Sequence, residues 1–177
     1  MARMQLSEVL DELRSLGSER GRTINARHGA GPHQLGVKLG DLRVLAKRIG
    51  SNSVTARELW GTKIDDAMLL STLLFKPKDL SGEDLDRMVR ESSYPQIAEW
   101  LMTNLIKPHP DREVLRHRWM MDEHPMAARA GWHLTSDRVA KSPDGLDLVG
   151  LLDRIDREMA DAPESSRWTM NMCLATI

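Results

Sequence analysis

The 177-residue sequence predicts an all-α chain built from repeated helix pairs, and three observations carry that prediction. The first is a phrase that occurs twice. Ala67-Met68-Leu69-Leu70-Ser71-Thr72-Leu73-Leu74-Phe75-Lys76-Pro77 returns as Ala98-Glu99-Trp100-Leu101-Met102-Thr103-Asn104-Leu105-Ile106-Lys107-Pro108, with the alanine, the threonine and the closing Lys-Pro in step. A looser echo runs from Ala127 to Thr135. A period of roughly thirty residues filled with helical pattern marks a helical repeat array. One helix pair cannot bury its own apolar face, so stacked pairs share a continuous core and leave an extended surface for a partner. The second observation is that no stretch alternates apolar and polar residues as a half-buried strand does. The third is punctuation, since Gly and Pro fall at the ends of the helical patterns.

Taken in order, Leu6, Val9, Leu10, Leu13 and Leu16 lie at helical spacing, with Ser7 capping or beginning the helix and Gly17 stopping it. Arg20 to Arg27 makes a second helix, broken by His28-Gly29-Ala30-Gly31-Pro32. A loop then feeds a third helix through Leu42, Leu45, Ala46 and Ile49. Asp41 suits its N-terminal dipole and Gly50 its C-cap. Ala56 to Trp60 precedes Lys63 to Phe75, stopped at Pro77, and Ser81 precedes a helix through Val89. Pro95 starts the next, which runs to Ile106. Asp111 to Met121, Met126 to Leu134, Asp144 to Met159 and a last helix from Pro163 complete the series. The pattern reads as one domain over residues 1–177. Its apolar finish at Cys173-Leu174-Ala175-Thr176-Ile177 suggests a missing C-terminal portion, because solenoids close on a polar repeat.

Composition narrows the function. Five Trp stand against one Tyr and one Phe, which serves either a core or a stacking surface. Cys173 is the single cysteine and reads as a small buried hydrophobe, with no disulfide framework or zinc-ligand spacing. The absence of a signal-peptide core and of any long apolar run points to a cytoplasmic, non-membrane protein. Six histidines show no paired metal-ligand spacing and read as loop and surface residues. Net charge is −1, but basic residues dominate from Arg14 to Arg48 and acidic ones from Asp144 to Glu164. Such polarity suits a protein that turns one face to an anion.

The segment Gly36 to Lys47 is the first candidate site. Its glycines allow backbone amides to approach a ligand and its helix N-terminus favours phosphate, while Lys38, Arg43, Lys47 and Arg48 add cations. A tight connection followed by a solvated basic helix accounts for the same residues equally well.

The ordered set of His28-Gly29-Ala30-Gly31, Gly36-Val37-Lys38-Leu39-Gly40-Asp41-Leu42-Arg43 with Leu45-Ala46-Lys47, Glu58-Leu59-Trp60, Trp119 followed by Arg129-Ala130, and Arg167 with Met170-Asn171 resembles the DNA alkylation repair family of HEAT-like repeat DNA glycosylases. The resemblance implies a right-handed, C-shaped solenoid whose basic concave face holds alkylated duplex DNA. It further implies a monomer that hydrolyses the N-glycosidic bond of N3- or N7-alkylpurines without a metal or organic cofactor. Carried over residue by residue, it places Arg129 on the DNA backbone and Tyr94 beside the lesion. Lys38, Arg43, Lys47 and Arg48 join Arg129 on phosphate, and Trp132 is a DNA contact or a core residue. The family's carboxylate falls at Ala98, which cannot do that work. Glu99 is adjacent, but one step turns a helical side chain by about 100°. Glu99 and Tyr94 are therefore the catalytic candidates. A second family aromatic falls near Asn171, with Trp168 one turn before it. Two other readings are a catalytically inactive DNA-binding relative and a HEAT-like protein-interaction scaffold, because fold does not fix function.

Overall fold

The structure is a computed structural model describing residues 4–177, and among them it is all-helical, without a strand. In chain order the first helices are α1 (Leu6–Leu16), α2 (Glu19–Arg27), α3 (Leu39–Ile49), α4 (Ser53–Gly61) and α5 (Asp65–Leu74). There follow α6 (Gly82–Glu91), α7 (Pro95–Leu101), α8 (Arg112–Met120), α9 (Pro125–Lys141), α10 (Leu148–Glu158) and α11 (Glu164–Leu174). They group into two compact units. One takes the chain up to Ser81 together with Ser92–His109; the other takes Gly82–Glu91 and Pro110–Ile177.

In the first unit α5 is the buried centre. It is the first copy of the repeated phrase, and it packs against α3, α4 and α7. Leu69, Leu70 and Leu74 are all sealed from solvent, as a helix that is apolar all round must be. The second copy begins as α7, with Pro95 in its first turn, and then widens into a π turn over Met102–Ile106, where Lys107 N donates to Met102 O at 3.0 Å. Equal spacing in the sequence thus gives two different windings. Asn104, in that π turn, donates to the hydroxyl of Thr72 on α5 at 3.3 Å.

In the second unit α9 takes the central place, packed by α6, α8 and α11. It runs past the expected stop at Leu134 because no breaker intervenes before Pro143. Gly131 permits the approach of α8: a Cβ there would lie 2.7 Å from the backbone of Trp119 and Met120. Trp119 is fully buried and its indole donates to Asp86 at 2.7 Å. Asp86 also accepts from Arg90 at 3.0 and 3.1 Å and from Arg118 at 3.4 Å, while Arg90 reaches on to Asp122. Burial opposes ionisation of Asp86, yet the bonds from Arg90 and Trp119 hold its carboxyl below the ordinary value. The bond from Arg90 does the same for Asp122.

Several boundaries move for local reasons. α4 begins at Ser53, not Ala56, because Asn52 caps it by accepting from Thr55 N at 3.2 Å. α10 begins at Leu148, not Asp144, because Asp147 accepts from Gly150 N and Gly145 adopts φ +78°. Gly50 closes α3 with φ +74°, the left-handed geometry its position required. Two of the histidines expected at the surface are buried. His109 bonds to Leu80 O at 3.0 Å and His133 lies within α9. Cys173 is a core residue, packed with Met120, Trp132, Val139, Ile155 and Met170, and burial pushes its thiol up to about 11.

Candidate nucleic-acid interface

The loop between α2 and α3 is shaped by two glycines and one carboxylate. Gly36 adopts φ +76°, and a Cβ on Gly21 of α2 would lie 2.0 Å from the Gly36 carbonyl. The two glycines therefore let helix and loop back directly onto each other. Asp66, buried at the head of α5, accepts from Leu35 N at 2.5 Å and from Val37 N at 2.8 Å. This corrects the phosphate-cradle reading in one respect. The amide of Val37, like that of Leu35 just before the segment, serves an internal anion, so what the segment leaves open is its exposed cations, Lys38, Arg43 and Lys47, and the opening of α3. Beside Asp66, burial raises the carboxyl of Asp65, and the Asp66 charge adds to the effect against an amide bond from Gly31.

Lys38 and Leu39 open on a cavity of about 520 Å³ that is also lined by Asn25 and His28 of α2 and its end, and by Tyr94, Gln96 and Glu99. Three sequence-derived candidates, Lys38, Tyr94 and Glu99, thus meet in one place. Tyr94 caps the start of α7 and is 5 % exposed. Glu99 stands one turn into the helix and is half-buried. Ala98 does not line the cavity, so the side chain facing it is the carboxylate one step on. Pro95 fixes this end of α7 by packing on Gly29, whose φ is +90° and whose added Cβ would lie 3.2 Å from the proline ring. That contact gives the His28-Gly29-Ala30-Gly31 phrase its place beside the cavity. The Tyr94 phenol is raised by burial and then by the charges of Asp65 and Asp66, so it stays protonated at neutral pH.

The remaining cations differ in their settings. Arg43 is exposed on α3 with its guanidinium 4.8 Å above the indole of Trp100, the neighbour of Glu99. Lys47 is exposed in the last turn of α3, and Arg48 beside it pairs with Glu12. In the second unit Arg129 is 8 % exposed. It donates to Ser165 O at 3.2 Å and lies 5.0 Å over the ring of Trp168. Trp132, expected as a DNA contact or a core residue, is 2 % exposed within the core and covered by Arg154 at 5.2 Å. It is a packing residue, because no face of its ring is open to a ligand. Among the described residues no group of His, Cys, Asp and Glu side chains is placed to hold a metal ion. None of the described helices is long and apolar enough to cross a membrane.

Sequence reasoning missed Asp66, Asn25 and Gln96, and it named His28 and Trp168 without the positions the structure gives them. A signal for Asp66 was present: two carboxylates head the most apolar helix of the chain, where charge persists only if something pairs with it.

Fold and cavity together define a HEAT-like helical-repeat protein. The chain is similar to a solved structure described as "a new family of proteins related to the HEAT-like repeat DNA glycosylases with affinity for branched DNA structures", with a TM-score of 0.84 and 24% identity, over 98% of this chain and 75% of that one. A comparison with curated proteins found no match. The chain belongs to the DNA alkylation repair enzyme family, whose model matches residues 9–177.

Proposed function

We propose that this protein binds alkylated duplex DNA and hydrolyses the N-glycosidic bond of purines alkylated at N3 or N7, with the Tyr94–Glu99 cavity as its reaction site. The observation that carries the reading is that Tyr94, Glu99 and Lys38 open on one cavity. An alkylated purine is already a cation, so the bond from the sugar C1′ breaks with its electron pair going to the base, which leaves neutral. Positive charge then develops on the deoxyribose. The Glu99 carboxylate stabilises that charge, and the face of the Tyr94 ring adds to it. Water forms the new bond to C1′ and gives up a proton to Glu99 or to solvent. Lys38, Arg43 and Lys47 neutralise phosphates, and Arg48 does so in competition with Glu12.

The test is release of free 3-methyladenine and 7-methylguanine from methylated DNA. Wild type releases them, and Glu99→Gln slows release by about 100-fold, the scale of removing one charge-stabilising group from a transition state, while duplex affinity stays within about twofold. Unchanged release in Glu99→Gln and Tyr94→Leu together would remove both residues from the site.

Two observations favour a second reading, in which the protein binds DNA without hydrolysis. Ala98 stands where the family's carboxylate is expected, and the similar solved structure is described by its relation to glycosylases and its affinity for branched DNA. Tight binding to a three-way junction with no base released would establish it. A protein-interaction scaffold is the better reading if duplex binding shows no salt dependence.

A further inference from the structure

Among the described residues, the cavity that holds Tyr94 and Glu99 is lined by one amine, that of Lys38. The root of this side chain is fixed on both sides. The amide of Val37 just before it donates to Asp66 at 2.8 Å. The carbonyl of Lys38 itself accepts from Asp41 N and Leu42 N at 3.0 and 3.1 Å as α3 begins. The head is not fixed: the side chain is exposed, and among the described residues its amine makes no hydrogen bond, ion pair or ring contact. Other cations of α3 differ. Arg43 lies over Trp100, Arg48 pairs with Glu12, and Lys47 does not line the cavity. A primary amine also has chemistry that an arginine lacks, because a guanidinium stays protonated whereas a neutral amine adds to a carbonyl carbon.

We propose that Lys38 forms a Schiff base with the sugar left by base loss, and that the strand is then cut on the 3′ side of that sugar with Glu99 as the base. This rests on the reading above for the placement of C1′ beside Tyr94 and Glu99, and not on base release by this chain. An abasic deoxyribose opens to an aldehyde at C1′. The Lys38 ammonium loses its proton to solvent, the neutral amine adds to C1′, and water leaves to give a protonated imine. The positive charge on that imine makes the hydrogens of C2′ acidic. The Glu99 carboxylate takes one of them, and the electron pair of the C–H bond becomes the C2′–C3′ double bond. The bond from C3′ to the phosphate oxygen breaks with its pair going to the phosphate. Water then hydrolyses the imine, which returns the amine and leaves an unsaturated aldehyde on one fragment and a 5′-phosphate on the other. No oxidant or reductant takes part.

The experiment uses the full chain and a duplex with one abasic site, made beforehand by removing a uracil with a separate enzyme. Sodium borohydride reduces a protonated imine to a stable amine and so captures the adduct as a cross-link. Wild type forms a borohydride-dependent cross-link, and peptide mass mapping finds it on Lys38. Without borohydride the strand is cut 3′ to the abasic site. Lys38→Arg keeps the charge of a phosphate contact but has no nucleophile, so at protein concentrations that saturate the abasic duplex it forms no cross-link above a protein-free control. Glu99→Gln still cross-links but cuts at least about 100-fold more slowly, the lower end of the range for a lost general base. The proposal is overturned by a wild type that binds the abasic duplex without cross-linking. A cross-link mapped to another amine, or undiminished in Lys38→Arg, overturns it equally. Cutting by Glu99→Gln at the wild-type rate overturns the proton step. Wild type that shows no salt-dependent binding overturns the underlying DNA-binding reading instead. Cross-linking to Lys38 by a protein that releases no alkylated base leaves the proposal standing and overturns the hydrolytic reading alone.

Discussion

Arg43 over Trp100 and Arg129 over Trp168 are the same contact with its exposures reversed. In the first unit the indole is 7 % exposed and the arginine stands in solvent; in the second the arginine is 8 % exposed and the indole is open. The guanidinium–ring distances, 4.8 and 5.0 Å, are nearly equal, so the attraction between the groups does not distinguish the two sites. Packing does. Trp100 belongs to the half of α7 that faces the core of its unit, and it lifts Arg43 outward as a fixed cation. Arg129 belongs to a helix buried through its middle, from Ala127 to Ser136, and it lifts Trp168 outward as a fixed ring. One unit leaves a charge exposed and the other leaves a π face exposed.

Substitutions separate the supporting member of each stack from the presented one. Trp100→Ala has the largest effect, a loss of about 3–5 kcal/mol in urea unfolding, because it empties a core position beneath Arg43. Asp86→Asn comes next, at about 2–3 kcal/mol, since it leaves the indole of Trp119 and the guanidinium of Arg90 short of a charged acceptor. Its pH dependence sharpens the contrast between the units. Asp86 and Asp122 are held below the ordinary carboxylate value, so their stabilisation is complete above about pH 4 and disappears as pH falls through their lower folded values. Asp65 in the first unit is raised by burial, so its ionisation works against folding at neutral pH, and Asp65→Asn is expected to increase stability there. Acid titration of Asp86→Asn and Asp65→Asn by circular dichroism checks both signs.

Arg129→Ala is expected to cost about 1–3 kcal/mol through lost packing and the lost bond to Ser165. The presented members cost least: Arg43→Ala and Trp168→Ala fall within about 0.5 kcal/mol of wild type. Their effects lie in binding. Arg43→Ala lowers the slope of log affinity against log salt by about 0.9, the value for one phosphate contact. Trp168→Ala leaves that slope alone. If Arg129→Ala proved neutral and Trp168→Ala costly, the second stack would be an ordinary core contact and the reversal would carry no functional meaning.

Much of the fold was legible because its signals are local. The repeated phrase, Pro95, Gly50 and the breaker at residues 28–32 act within a turn of their own position. The π turn was not legible, because Ala98 to Pro108 has the same spacing as Ala67 to Pro77 and nothing in one chain marks a change of winding. Asp66 was hidden for a different reason: its partners are backbone amides at Leu35 and Val37, which carry no residue signature. Of the cavity's lining, Lys38, Tyr94 and Glu99 were already candidates in the sequence, while the family resemblance put the carboxylate position at Ala98. The cavity is bounded by α2 and the loop after it, and only their packing beside α7 puts the Glu99 side of the helix on the cavity wall. Arg129 was singled out for lying among alanines, which did signal a tightly packed helix. That its buried charge lies beneath an exposed ring depends on α11, 36 residues further on at Ser165.

The central claim is that the cavity of Tyr94, Glu99 and Lys38 breaks a glycosidic bond. Single-turnover release of 3-methyladenine from methylated duplex, followed for wild type and Glu99→Gln at matched DNA occupancy, tests it most directly. The account predicts release by wild type and a roughly 100-fold slower rate in the variant with occupancy unchanged. Equal rates in the two proteins, or no release by a wild type that binds the duplex fully, would contradict it.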